Sequence, residues 1–264
     1  MIVDRATAIL AEHGIESPRV DAEWIVAHVA GIGRADLATV DVDDRAIWPL
    51  VLRRANREPL AYVLGEWGFR RLTLRCDERA LVPRPETETV VERCIELLRD
   101  VPSPHVLDVG TGTGAIALAL ADEVPAARVV AIDSSEDALS LARENATLQQ
   151  LDVELLLQDL NEGLPPGPFH LVVSNPPYVL AAELDELEPE VRDWEPREAL
   201  LDSGQTEALA RAGRDVLAPG GVLVLEIHEG RADETRALLE NLGYRVRINV
   251  DLTGRDRVVE GRQA

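Results

Sequence analysis

Asn175, Pro176, Pro177 and Tyr178 stand in a row directly after the apolar run Phe169 to Val173. A short β-prone run that ends in two prolines is a strand that stops abruptly. Neither proline can donate a backbone hydrogen bond, and both hold φ at about −65°. The carbonyls at this strand end therefore face something other than a ladder. Asn175 adds one acceptor and two donors. Tyr178 adds a flat ring with a polar tip. Carbonyl acceptors beside an aromatic wall can grip a planar amide through its NH₂ group.

A second group of residues can hold a nucleotide-like ligand. The run His105 to Val109 leads into Gly110-Thr111-Gly112-Thr113-Gly114. Alternating glycines let the backbone approach a ligand closely, at a turn that opens a helix. Gly110-x-Gly112-x-x-Ala115 also satisfies the dinucleotide fingerprint with alanine in its third position. Asp133 lies about 20 residues further on, where a carboxylate binds ribose hydroxyls of NAD or S-adenosylmethionine alike. Asp159 and Leu160 follow a third strand, where an acid can accept from an adenine amino group while the Leu160 backbone reads the ring. Each has a plainer reading: a tight turn for the glycines, a helix cap for Asp133, a solvated loop for Asp159. The fourth strand separates the two cofactors. Asn-Pro-Pro-Tyr has no obvious use in a dehydrogenase, whereas an amino-methyltransferase needs an amide clamp beside its methyl donor.

The elements that must position these residues alternate from about residue 86 onward. Strands are expected at 105–109, 128–132, 153–157, 169–174, 221–227, 244–250 and 257–261. Helices are expected at 115–123, 136–148, 206–217 and 232–242, with a further one opening at Pro83 to Glu88 and running to Leu98. Alternation of this kind implies an α/β fold, a largely parallel Rossmann-like sheet with helices on both faces. Residues 1–75 differ. Apolar residues recur at helical spacing in Ala6-Ile9-Leu10, Ala22-Ile25-Val26-Val29 and Ile47-Leu50-Val51, with breaks at Gly14, Ser17-Pro18, Gly31 to Gly33 and Asp41 to Asp44. This predicts a small bundle of short helices, then a hairpin-like linker over about 65–85 with a strand from Arg71 to Arg75. Trp24 and Trp48 sit at core-like spacing.

Composition narrows the function. The chain has 264 residues, 46% of them hydrophobic, enough for a packed core. It carries 48 acids against 27 bases, a formal net charge of −21, which disfavours nonspecific binding to nucleic acid. All the bases are arginine. Without lysine there is no P-loop and no lysine Schiff base. Cys76 and Cys94 form no Cys-x-x-Cys, which argues against zinc and fits a reducing compartment. No run reaches the ~18 apolar residues of a membrane helix. The first residues lack the basic-then-apolar order of a signal peptide, so the expected location is cytoplasmic.

Several stretches together resemble one family over nearly the whole chain. They are Pro59-Leu-Ala-Tyr-Val-Leu-Gly-Glu66, Val82-Pro-Arg-Pro-Glu-Thr-Glu88, Asp108 to Gly114, Ser174 to Tyr178, Glu195-Pro-Arg197 and Gly254 to Val259. The family is the release-factor glutamine N5-methyltransferases. Asn-Pro-Pro-Tyr alone is less specific, since DNA adenine methyltransferases share it. The resemblance implies a helical substrate-recognition domain (1–75) joined by the hairpin to a seven-stranded methyltransferase domain (86–264). It implies S-adenosylmethionine as cofactor, S-adenosylhomocysteine as product and no metal. The expected substrate is the glutamine of a Gly-Gly-Gln loop in class I peptide chain release factors, with neither nucleic acid nor membrane as partner. By the same resemblance Gly110, Thr111, Gly112, Thr113 and Gly114 line the methionine end of the cofactor. Asp133 binds its ribose, Asp159 and Leu160 flank its adenine, and Asn175 borders cofactor and substrate. Asn175, Pro176, Pro177 and Tyr178 hold the amide, with Asn175, Pro176 and Tyr178 in the catalytic roles. Many relatives carry Gly-Asp or an aromatic near 158–160, where this chain has Gln158 and Leu160.

Other segments carry plainer expectations. The acids of Pro83 to Glu88 are expected mainly as helix-capping charges, worth ~0.3–1 kcal/mol each, on a segment that the resemblance also places at the active site. Glu183 to Glu198 reads first as a solvated acidic face, second as a mobile substrate loop. Glu226 and His228 read as strand-end residues. Two rival functions stay open: a nucleic-acid N6-adenine methyltransferase and a non-catalytic module that binds a nucleotide cofactor.

Overall fold

A computed structural model describes residues 2–39 and 44–263. Helices α1 (Ile2–Glu12), α2 (Pro18–Ala30), α3 (Asp44–Ala55) and the short α4 (Leu60–Leu64) form the N-terminal bundle. The residues at helical spacing close its core: Ala6, Leu10, Ala22, Ile25, Val26, Ile47 and Val51 are all buried. The expected break at 41–44 lies, up to its last residue, outside the described residues. Trp24 departs from its expected place in this core. It is 39% exposed, with its ring 5.9 Å from that of Trp67 and capped by the Arg34 guanidinium. Helical spacing placed Trp24 on the right helix, but its face looks outward. Trp48 is partly buried against the bundle, under Arg5.

The hairpin β1 (Glu66–Phe69) and β2 (Leu72–Arg75) is more than a linker. Phe69, Leu72 and Leu74 are buried in the core of the sheet domain. Arg70 pairs with Glu123 and Glu92, and its backbone N–H donates to Glu88 Oε1 at 2.9 Å. Glu88 therefore holds the hairpin turn, a contact that capping arguments do not reveal. Buried Asn145 accepts from the Arg75 N–H and donates to the carbonyls of Arg75 and Thr113, tying the hairpin to the glycine turn.

The rest alternates: α5 (Thr87–Leu98), β3 (His105–Val109), α6 (Ala115–Glu123), β4 (Arg128–Asp133), α7 (Glu136–Gln149), β5 (Glu154–Leu157), β6 (Phe169–Ser174), α8 (Pro189–Arg192), α9 (Gln205–Val216), β7 (Leu217–Glu226), α10 (Ala232–Asn241), β8 (Tyr244–Val250) and β9 (Asp256–Gln263). The seven sheet strands run in the order β5-β4-β3-β6-β7-β9-β8, parallel except for β9, which is antiparallel to both neighbours. Successive residues of a strand face opposite sides. Val106 and Leu171 accordingly pack on the α5 and α6 face, Leu107 and Val172 on the α9 and α10 face. Strand β7 starts at Leu217, ahead of the expected Gly221. Its pairing with β6 shifts register between Phe169 and Leu171, so Pro219 and Gly220 are accommodated as an irregularity within the strand.

Strand order reverses between β3 and β6. At such a switch point the carboxyl ends of neighbouring strands diverge and leave a crevice. Gly110, Asp133 and Asn175 stand at the ends of β3, β4 and β6 and so meet there.

The acidic stretch 183–198 is not a plain solvated face. Glu190 pairs with Arg54 and Arg57 of the bundle, and Glu188 also pairs with Arg57. Glu195, 4% exposed, binds Arg84. Burial pushes the Glu195 carboxyl above its ordinary range, against the pull of Arg84. A run of like charge reads as solvated because its counter-charges, here on and just after α3 and in the loop before α5, are far away in sequence.

Candidate active site

The crevice is a cleft of about 330 Å³. Of the residues expected to hold a ligand, Gly110, Thr111, Gly112, Thr113, Asp133, Asp159, Leu160, Asn175, Pro176 and Pro177 line it; Gly114 and Tyr178 do not. Gly114 caps α6 with φ 85°, and a Cβ there meets Leu118 at 3.0 Å. It is a glycine for packing and chain direction. The Tyr178 ring lies 6.0 Å from that of His228, and burial raises its hydroxyl pKa. Tyr178 is partly buried against the cluster of Val179, Leu184 and Leu200, beside the strand end.

The glycine turn leaves its backbone open to the cleft. Gly110 has φ 73°, and a Cβ there meets nothing within 4 Å, so it projects into open space. A dinucleotide site needs free N–H groups at this turn. Here the N–H groups of Gly110 and Thr111 both donate to the Ile132 carbonyl, and that of Gly112 donates to Asp133 Oδ2 at 2.9 Å. Asp133 Oδ1 accepts from the Ser135 N–H at 3.0 Å. Burial raises the Asp133 pKa, opposed by these backbone bonds. Each of its oxygens keeps a further lone pair, the acceptor set a ribose diol requires. Behind the turn, Asp108 is fully buried, accepts from Thr111 Oγ1 at 2.7 Å and is pushed up to about 7 by desolvation.

Asp159 reaches the cleft wall while also capping a short helical turn. Its Oδ1 accepts from the backbone and side-chain nitrogens of Asn161. The wall opposite is one that periodicity does not reveal. Ala80 to Arg84, in the connection between the hairpin and α5, lines the cleft together with Thr87. The breakers Pro83 and Pro85 were the available signal that this segment stays out of helix.

The clamp residues have buried neighbours. Ser174 Oγ donates to the Val109 carbonyl at 2.7 Å and locks β6 to β3 at the point where both strands end. Asn175 Nδ2 donates to Thr87 Oγ1 at 3.4 Å, and Thr87 Oγ1 donates to Glu226 Oε2 at 2.7 Å. Glu226 is 1% exposed, and burial pushes its carboxyl up to about 7. It is more than a strand-end residue. Spacing alone gave no signal for it, because an acid ending a strand is ordinarily solvated.

A seven-stranded sheet of this order, with β9 antiparallel and a switch-point cleft lined by the glycine turn, Asp133 and Asn175, is the architecture of a methyltransferase. The family model described as "Methyltransferase small domain" matches residues 92–187, and that described as "PrmC N-terminal domain" matches residues 2–65. The release factor glutamine methyltransferase of Deinococcus radiodurans is 44% identical over 100% of this chain and 98% of its own. The protein of the same description from Streptomyces coelicolor is 44% identical over 85% and 83%. The chain belongs to the release factor glutamine methyltransferase family. Among solved structures, a methyltransferase from Pyrococcus furiosus shares the fold at 20% identity and a TM-score of 0.53, covering 73% of this chain and 89% of that one. A 16S rRNA methyltransferase of T. Thermophilus, solved in complex with AdoMet and guanosine, does so at 21% identity and a TM-score of 0.55, covering 75% and 50%.

Proposed function

We propose that this chain methylates the N5 nitrogen of the glutamine in the Gly-Gly-Gln loop of class I peptide chain release factors, in the cytoplasm. The observation that carries the reading is the Asn175-Pro176 turn in the same cleft as Asp133 and the glycine turn. The residues fit S-adenosylmethionine. The open face of Gly110 and Gly112 takes the methionine portion, Asp133 the ribose hydroxyls, and Asp159 with Leu160 the adenine. Bound there, S-adenosylmethionine supplies an electrophilic methyl group and leaves as S-adenosylhomocysteine.

An amide nitrogen is a poor nucleophile because its lone pair is delocalised. The chain's own groups address that. Asn175 Oδ1 and the Pro176 carbonyl accept the two NH₂ hydrogens, which fixes the plane of the amide and aims its nitrogen. The same acceptors place negative charge beside a nitrogen that becomes positive in the transition state. Orientation of this kind lowers a barrier by up to ~7–11 kcal/mol in ideal cases. No general base is required, since the proton is acidic once the nitrogen is alkylated and can leave to water.

A clamp around one amide cannot tell one glutamine from another. Selectivity needs further contact area, and the helical bundle supplies it in this reading. Its ion pairs to the segment after the clamp keep it in register with the cleft. Two results test the function. A purified release factor should take up label from the methyl-labelled donor, and the same protein with its Gly-Gly-Gln glutamine changed to alanine should take up none. Label in adenine of nucleic acid instead would favour the rival methyltransferase. Asp133→Ala should bind S-adenosylmethionine roughly ten- to hundredfold more weakly, the loss of a charged hydrogen bond worth ~1.5–3 kcal/mol. Unchanged affinity by calorimetry would move the ribose contact to another residue.

A further inference from the structure

Three elements converge to build the hydrogen-bond chain behind Asn175: the first residue of α5, the end of β7 and the turn after β6. Thr87 is 5% exposed and Glu226 1% exposed. Above its pKa of about 7 Glu226 is a carboxylate and acts only as an acceptor, and a hydroxyl has a single proton to give. The Thr87 proton is committed to Glu226 Oε2, so the oxygen of Thr87 has only lone pairs to offer Asn175. Only a donor can face it, and the NH₂ group of Asn175 does. Among the described residues no group donates to Asn175 Oδ1, and Asn175 lines the cleft. The two ends of an asparagine amide are nearly the same size. Shape alone leaves its orientation undecided, and a polar partner must decide it.

We propose that Glu226 and Thr87 set the polarity of the Asn175 amide, and that this polarity makes the site select a side-chain amide over the matching carboxylate. The inference rests on the amide-clamp reading above. With Oδ1 turned to the cleft, Asn175 and the Pro176 carbonyl present acceptors only. They complement an NH₂ group and repel a carboxylate. With the amide inverted, Asn175 presents its NH₂, which opposes the NH₂ of glutamine and welcomes the carboxylate of glutamate. Thr87 and Glu226 act through Asn175 and are positioning residues.

The test uses the full chain, a release factor as substrate, and the same release factor with its target glutamine changed to glutamate as competitor. Thr87→Val keeps the shape of the side chain and removes the hydroxyl. It should lower kcat by about 10–100-fold, less than loss of the acceptor itself, because the freed amide still samples the productive orientation, with S-adenosylmethionine affinity within about twofold. The glutamate-bearing competitor should inhibit it at least about fivefold more strongly than it inhibits wild type. Thr87→Ser keeps the relay and should behave as wild type. Glu226→Gln offers both a donor and an acceptor to Thr87 and should fall between the two. Wild-type discrimination in Thr87→Val, or a loss in Thr87→Ser as deep as in Thr87→Val, overturns the relay. Failure of wild type to methylate the unaltered release factor overturns the substrate reading, and the relay's selectivity with it.

Discussion

Asn175→Ala is expected to lower methyl transfer by about 10²–10³ while leaving S-adenosylmethionine affinity within about threefold. Removal of one acceptor that acts on a developing charge typically costs ~2.7–4 kcal/mol. Alanine deletes the side-chain oxygen and leaves the Pro176 carbonyl to hold the amide alone, free to rotate about a single contact. The residues proposed to hold the donor, the glycine turn after β3 and Asp133 at the end of β4, are untouched. Single-turnover kinetics with saturating donor, together with calorimetry, separate the two effects. A variant that turns over within threefold of wild type would remove the clamp from the mechanism.

Arg54→Ala should destabilise the helical bundle by about 3–5 kcal/mol, the cost of leaving a buried charge without its partner. The Arg54 side chain is 8% exposed. It donates from Nε to Asp21 Oδ2 at 2.7 Å and from Nη1 to the Glu58 carbonyl at 3.1 Å, and Nη2 lies 2.7 Å from Glu190 Oε1. Alanine strands Asp21 inside the bundle and cuts the bundle's hold on the segment after the clamp. Lysine should rescue little, because one ammonium cannot reproduce a fork that reaches several oxygens at fixed angles. Urea unfolding followed by tryptophan fluorescence reports on this region, since Trp24, Trp48 and Trp67 lie in or against the bundle. At ~1–3 kcal/mol per molar urea, the transition should move down by more than ~1 M. A shift corresponding to less than ~1 kcal/mol would mean that Asp21 finds water once the arginine is gone.

The two variants divide the protein by what reaches each residue. Asn175 was legible from its neighbours in the chain: an apolar run before it, two prolines after it. Arg54 was one of 27 bases with nothing to mark it. Its partners Asp21 and Glu190 lie on α2 and α8, and only packing brings the three together. The same division runs through the cleft. The glycine turn, Asp133 and the order of strands and helices follow from period and from chain breakers, which act over a few residues.

By itself, then, the sequence determined the parallel sheet, the glycine turn after β3 and the double-proline end of β6, because hydrophobic alternation, glycine and proline constrain the backbone locally. Tertiary structure decided the rest. It put Thr87 and Glu226, 139 residues apart, behind Asn175. It set Tyr178 against His228, turned Trp24 toward solvent, and paired the acidic stretch with arginines of the helical bundle and of the loop before α5. Each of these depends on which groups share a low-dielectric neighbourhood. A hydrogen bond or ion pair forms with whatever the fold brings within about 3 Å, at any separation along the chain.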